Sequence, residues 1–165
     1  MKHLFLFVTI FAVGMGFAQE KEAIKANDNN LNEAVHIIAK MSSDQVSVDG
    51  IINIEYRLYV SQDVGISNWK LIEKPTYDGF SQNDIKLENL LIENVTYKGK
   101  PYRMVIIKKD EIKAIHQGEF NFEPLQLEVT AKVAEKTNTN EGLGFSMKEV
   151  ILKMKSNALK INVKS

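Results

Sequence analysis

Few residues of this chain have the type and spacing that chemistry requires. The three histidines, His3, His36 and His116, stand far apart, and no two of them have the spacing of paired metal ligands. The chain has no cysteine, which excludes thiol catalysis and thiolate metal sites. Its serines and glycines form no nucleophile elbow, P-loop or dinucleotide-binding motif. We therefore expect His36 and His116 to be unrelated surface or edge residues, and we expect no metal, no cofactor and no enzymatic activity.

Carboxylates are numerous but scattered, apart from the neighbours Asp110 and Glu111. They form no calcium-binding loop, and solvated charges at turns are the simplest interpretation. An acid–base pair assembled only by the fold stays open as a hydrolase hypothesis. It requires a deep pocket in which acidic side chains converge.

An aromatic segment, "VGISNWKLIEKPTYDGFSQND" at residues 64–84, is the remaining candidate site. Neither helical nor strand periodicity runs through it, so we predict irregular structure. Trp69, Tyr77 and Phe80 either fill the core, which is the interpretation we favour, or anchor a protein partner from an exposed loop. Pro75 would stiffen such a loop and lower the entropy lost on binding.

Alternating apolar and polar residues dominate the rest of the chain and predict half-buried strands. The hairpin turn is predicted at Lys98-Gly99-Lys100, where Gly99 supplies a positive φ. The predicted strands are "VHIIAKM" (35–41), "INIEYRLYV" (52–60), the hairpin arms 90–97 and 102–108, "LQLEVTAKV" (125–133), "EVILKMKS" (149–156) and "ALKINVKS" (158–165). Several short strands separated by turns predict an all-β protein, an immunoglobulin-like antiparallel β-sandwich.

Three other segments carry specific expectations. The basic residues of "KPYRMVIIKK" (100–109) indicate an edge strand protected against aggregation. The polar stretch "AEKTNTNEGLG" (134–144) predicts a loop. "SMKEVILKM" (146–154) also fits an amphipathic helix, but we favour a strand because Val150, Leu152 and Met154 alternate.

The N-terminus has the pattern of a secretory signal peptide. Lys2 precedes an apolar run, and small residues follow up to Ala18, so we predict a signal peptide over 1–18 and export of the chain. A retained membrane anchor is the alternative. Residues 19–33 predict a polar leader, and 34–165 form the folded module. Because the formal net charge is zero, no electrostatic case exists for nucleic acid or an anionic membrane.

Four motifs, in this order, resemble the BatD-type (Bacteroides aerotolerance, oxygen tolerance) family. They are "INIEYRLYVSQDVGISNW", "EKPTYDGFSQNDI", "VTYKGKPYRMVIIKKDEIKAIHQGEFNFEPLQLEV" and "KMKSNALKINVKS". The resemblance covers residues 35–165 and departs from the family where Ser81 replaces a frequent tryptophan. The family has several modules and this chain matches one, so we expect a short paralogue or a fragment of a longer anchored protein.

The resemblance implies a non-enzymatic, periplasmic protein-interaction module. Its implied partners are von Willebrand A-domain or TPR proteins, beside a MoxR-type ATPase, in a system for oxygen or stress tolerance and envelope integrity. Contact with a membrane is then expected only through partners, unless the chain is a fragment of the longer anchored protein. The alternative function is a carbohydrate-binding β-sandwich, which requires Trp69, Tyr77 and Tyr59 to lie coplanar and exposed on one face.

Overall fold

The computed structural model describes residues 28–139 and 142–165. The predicted signal peptide (1–18), its cleavage site after Ala18, and residues 19–27 of the predicted leader lie outside the described residues.

One short helix precedes eleven strands in the described part of the chain. Helix α1 spans Asp28–Ala34. The strands are β1 (Val35–Met41), β2 (Gln45–Ser47), β3 (Ile51–Ser61), β4 (Gly65–Glu73), β5 (Phe80–Ile85), β6 (Ile92–Tyr97), β7 (Lys100–Ala114), β8 (Gly118–Phe122), β9 (Gln126–Thr139), β10 (Gly142–Lys155) and β11 (Leu159–Lys164).

The strands form three sheets that share one core. The five-stranded sheet has the order β1-β3-β7-β5, and the long β7 pairs first with β6 and then with β5 along the same side. One three-stranded sheet has the order β10-β9-β4, and the other has β2-β11-β8, in which β2 and β11 run parallel. The predicted all-β antiparallel sandwich is confirmed.

Strand alternation places the core as the sequence predicts. Each alternating set lies in the buried cluster between the sheets, with every member at most 6% exposed. The sets are Ile52, Ile54, Tyr56, Leu58 and Val60; Leu125, Leu127, Val129, Ala131 and Val133; and Leu159, Ile161 and Val163. The strand favoured for 146–154 is likewise confirmed by β10.

A bulge in β7 decides which of its side chains reach this core. The register with β3 shifts between Tyr56 and Arg57, which pair with Lys108 and Ile106, so Ile107 is the extra residue. A bulge of this kind reverses the alternation beyond it. Lys108 therefore lies on the core-facing side with its cross-strand partner Tyr56, whereas Met104 lies on the outer face with Tyr59.

Three predictions of irregular structure differ from the structure. Residues 28–33 of the predicted leader belong to α1, because Leu31, at 1% exposure, docks that turn onto the core. The aromatic segment contains β4 and β5. β4 has two register shifts against β9, and these interrupt the alternation of apolar and polar side chains in β4. The sequence pattern therefore does not indicate a strand there. The predicted loop at 134–144 instead extends β9 and β10, which stay paired up to Gly142 and Thr139.

The prediction that 100–109 forms a protected edge strand is wrong. β7 lies between β3 on one side and β5 and β6 on the other. Its basic residues thus occupy the middle of a sheet, and Lys108 is buried.

Candidate functional site

The three predicted aromatic residues lie in and against the core. Tyr77 and Phe80 are 5% and 8% exposed, and both rings pack edge-on against Phe122, at centroid distances of 4.9 and 5.3 Å. Trp69 is half-buried in β4 and packs on the same cluster. Burial leaves the rings of Tyr77 and Phe80 unable to anchor a partner, in agreement with the core interpretation of these two residues.

The exposed aromatic platform that carbohydrate binding would require is not formed by the residues named for it. Tyr59 and Tyr77 are each 5% exposed. They also belong to separate clusters, because Tyr59 packs on the outer face of the five-stranded sheet and Tyr77 in the main core.

Tyr77 instead leads into a buried polar network. Its hydroxyl group lies 2.8 Å from that of Tyr56 and donates a hydrogen bond to Asp110 Oδ2, also at 2.8 Å. Asp110 is completely buried, and its Oδ1 accepts hydrogen bonds from Gln82 Nε2 at 3.1 Å and Lys108 Nζ at 2.5 Å. Each carboxylate oxygen therefore has at least one donor, as a buried charge requires.

Lys108 connects this network to the surface. Asp84 in β5 stands directly opposite Asp110 in β7, an arrangement in which like charges repel. The ammonium group of Lys108 bonds both carboxylates, with 2.9 Å to Asp84 Oδ1, and thereby offsets that repulsion. The hydrogen bond from Lys108 holds the pKa of Asp84 below its usual value. Burial raises the pKa of Tyr56 to about 12 and also raises the pKa of Tyr77, so both phenols keep their protons.

A pocket opens beside the exposed Asp84 and the buried side chain of Lys108. Its volume is about 320 Å³. Its walls come from β4, β5, β7 and the segments that follow β4 and β5, and they consist of Leu71, Lys74, Asp84, Ile85, Lys86, Leu87, Ile107 and Lys108.

The converging carboxylates do not have the properties of a hydrolytic acid–base pair. A general acid needs a raised pKa, whereas the pKa of Asp84 is lowered. Asp110 is held by three donors in the core. No group of three or more metal-ligating side chains occurs among the described residues. The hydrogen bonds and ion pairs of this network hold the carboxylates of Asp84 and Asp110 in place.

A second candidate surface lies on β10, an outer strand of its sheet. Phe145, Met147 and Ile151 project from one face of this strand and are 68%, 63% and 64% exposed. Lys153 and Lys155 continue the same face, since side chains at odd positions share it. Neither lysine forms an ion pair with another described residue. We call the three apolar residues, Phe145, Met147 and Ile151, the β10 row.

His36 is more buried than the sequence predicted. Its ring stacks on Tyr59 at 5.2 Å between centroids, with the planes 1° apart, and meets Tyr102 edge-on at 5.2 Å. Its Nδ1 lies 3.0 Å from the backbone oxygen of Glu33, at the end of α1. His116 is exposed. The expectation of two surface or edge histidines fits His116, which is exposed, and also His36, because β1 is an outer strand of its sheet, although the ring of His36 is half-buried.

Sequence reasoning missed Lys108, Asp110 and the β10 row. Lys108 and Lys109 form a basic pair in the sequence, and only the bulge at Ile107 turns the first of them inward. The β10 row was visible as apolar residues at odd positions, but only the structure shows that these side chains are exposed.

Comparisons of the chain with family models, curated proteins and solved structures found no match. In the part of the chain that the structure describes, no helix has the length and apolar character to cross a membrane.

Proposed function

We propose that this protein is a non-enzymatic, exported interaction module of BatD type. It pairs the exposed edge of β10 with an extended segment of a partner protein. The partner proposed from the resemblance is a von Willebrand A-domain or TPR protein that acts with a MoxR-type ATPase in oxygen or stress tolerance and envelope integrity. The observation that carries the proposal is the β10 row, three large apolar side chains left in solvent on an outer strand.

The shape of β10 favours strand addition. It pairs with β9 through fourteen consecutive residues without a register shift, so its opposite side presents a regular series of backbone donors and acceptors. Natural proteins usually interrupt such an edge with proline, a bulge or a very short strand. β10 has none of these three features, and the lysines that also protect edges, Lys148, Lys153 and Lys155, lie from its middle onward. Extended peptides bind such edges through main-chain hydrogen bonds, while alternate side chains give specificity.

The charges beside the row indicate what the added strand contains. Lys153 and Lys155 lack ion-pair partners among the described residues, whereas Glu149, on the same face, is engaged by Lys132 at 3.5 Å and by Ser67 at 3.2 Å. The surface open to a partner is thus apolar at one end and cationic at the other. A complementary segment has apolar residues at alternate positions and acidic residues opposite the two lysines.

Site-specific photo-crosslinking in the native cells tests this proposal. A photoreactive amino acid replaces Ile151 in the full chain, and a matched variant carries it at Asn83, which is exposed on β5 in the five-stranded sheet. We expect position 151, and not position 83, to capture a protein with a von Willebrand A or TPR domain. We also expect Met147→Lys to abolish that product. Capture at neither position, or equal capture at both, would contradict the proposal.

A further inference from the structure

We infer that the pocket beside Lys108 binds a small carboxylic acid with a short aliphatic tail. This inference is independent of the proposed interaction through β10, because none of the residues that line the pocket belongs to that strand.

The size of the pocket suits a small molecule. Its volume of about 320 Å³ lies near the lower limit of ligand sites, which are about 300–1,000 Å³. At about 30 Å³ for each water-sized group, it holds on the order of ten non-hydrogen atoms.

Four of the eight residues that line the pocket are apolar. Leu71 from β4, Ile85 and Leu87 from β5 and its following segment, and Ile107 from the β7 bulge all line it. An aliphatic tail that packs against these side chains would be removed from water, which is favourable.

The other four lining residues are charged. Three lysines and one aspartate line the pocket, so its charge is three minus one, or +2. Counting the buried Asp110 behind Lys108 still leaves an excess of +1. The ammonium group of Lys108 has three hydrogens, and Asp84 and Asp110 account for two of them.

Asp84 shows that Lys74 and Lys108 are placed to pair with a carboxylate. Its Oδ1 lies 2.9 Å from Lys108 Nζ and its Oδ2 lies 3.8 Å from Lys74 Nζ. The side chain of Lys74 is 60% exposed, so it is able to turn toward a second carboxylate at little cost. A ligand carboxylate would accept hydrogen bonds from Lys74, Lys86 or the third hydrogen of Lys108, with its tail against the apolar lining residues.

The same features disfavour other ligand classes. A metal cation would meet a net positive charge, and a sugar would find no aromatic side chain among the lining residues. Inorganic phosphate would satisfy the lysines but leave the apolar lining residues in contact with water.

Titration of the ¹⁵N-labelled full chain with sodium hexanoate, followed by NMR, tests the inference. Inorganic phosphate and 1-hexanol, at equal ionic strength, supply the charge and the tail separately. We expect hexanoate to shift the amides of Ile85, Leu87 and Ile107 saturably, and to bind about tenfold more tightly than either comparator.

Two variants distinguish binding in the pocket from a general effect of surface charge. Lys74→Met should weaken hexanoate binding several-fold, whereas Lys113→Met should not change it, because Lys113 pairs with Asp49 outside the pocket. The inference is overturned if hexanoate gives no saturable shifts, if phosphate or hexanol binds as well, or if the two variants weaken binding equally. None of these outcomes bears on crosslinking at β10.

Discussion

Replacing Lys108 with methionine tests whether the buried network stabilises the fold. Methionine keeps most of the aliphatic stem of lysine, so packing changes little while the ammonium group disappears. Asp110 then remains fully buried, directly opposite Asp84, without a cation. Removing one member of a buried ion pair costs about 3–5 kcal/mol. Because Tyr77 and Gln82 still donate to Asp110, we expect a loss near the lower limit, about 3 kcal/mol.

The control is Lys113→Met on the same strand. Lys113 pairs with Asp49 at 2.8 Å, but the two side chains are 49% and 78% exposed. Exposed pairs contribute about 0–1 kcal/mol, so this variant should stay within that range of the parent protein.

The assay is urea unfolding followed by the fluorescence of Trp69, the chain's single tryptophan. Equal slopes of the unfolding free energy against urea are required before the midpoints are compared. A double variant, Lys108→Met with Asp110→Leu, should recover more than half of the loss, because an apolar pair replaces the stranded charge. A loss below about 1 kcal/mol in Lys108→Met, or a double variant less stable than the single one, would refute this reasoning.

Three further predictions concern single sites. In urea unfolding, Gly79→Ala should destabilise the protein by at least about 1 kcal/mol more than Gly99→Ala. Both glycines have positive φ, but only at Gly79 would the new Cβ collide with the ring of Phe120. Equal losses of stability in the two variants would contradict this contact. Asn157→Ala should lower the free energy of unfolding by about 1–3 kcal/mol and speed amide hydrogen exchange in β1. The reason is that the Asn157 side chain bonds the backbone N–H and C=O groups of Ala39, at 2.9 and 3.2 Å. Unchanged exchange in β1 would contradict this role of Asn157. Burial lowers the pKa of His36, so its contribution to stability is complete above about pH 6.5 and declines as the pH falls below that value. His36→Phe should lack this decline between pH 7 and pH 5, and an identical decline in both proteins would exclude His36 as its cause.

The interior of this protein could largely be predicted from single-strand patterns. Alternation in β3, β9 and β11 identifies the buried face of each strand, because successive side chains point to opposite faces. The turn at Lys98 and Gly99 was likewise visible, and both residues have positive φ, at 49° and 78°.

The candidate sites could be predicted from the sequence far less well. β4 escaped detection because its bulges against β9 break the alternation. The pairing of Asn157 with the backbone of Ala39 joins residues that are remote in the sequence, and no local pattern indicates it.

The amino-acid sequence by itself determined that the chain forms strands, which faces of those strands are apolar, and that no disulfide contributes. Only the tertiary structure decided that Lys108 faces inward, where it meets Asp84 and Asp110, and that the β10 row stays uncovered. The reason is physical: alternation belongs to one strand, whereas a bulge and a sheet edge exist only in relation to neighbouring strands.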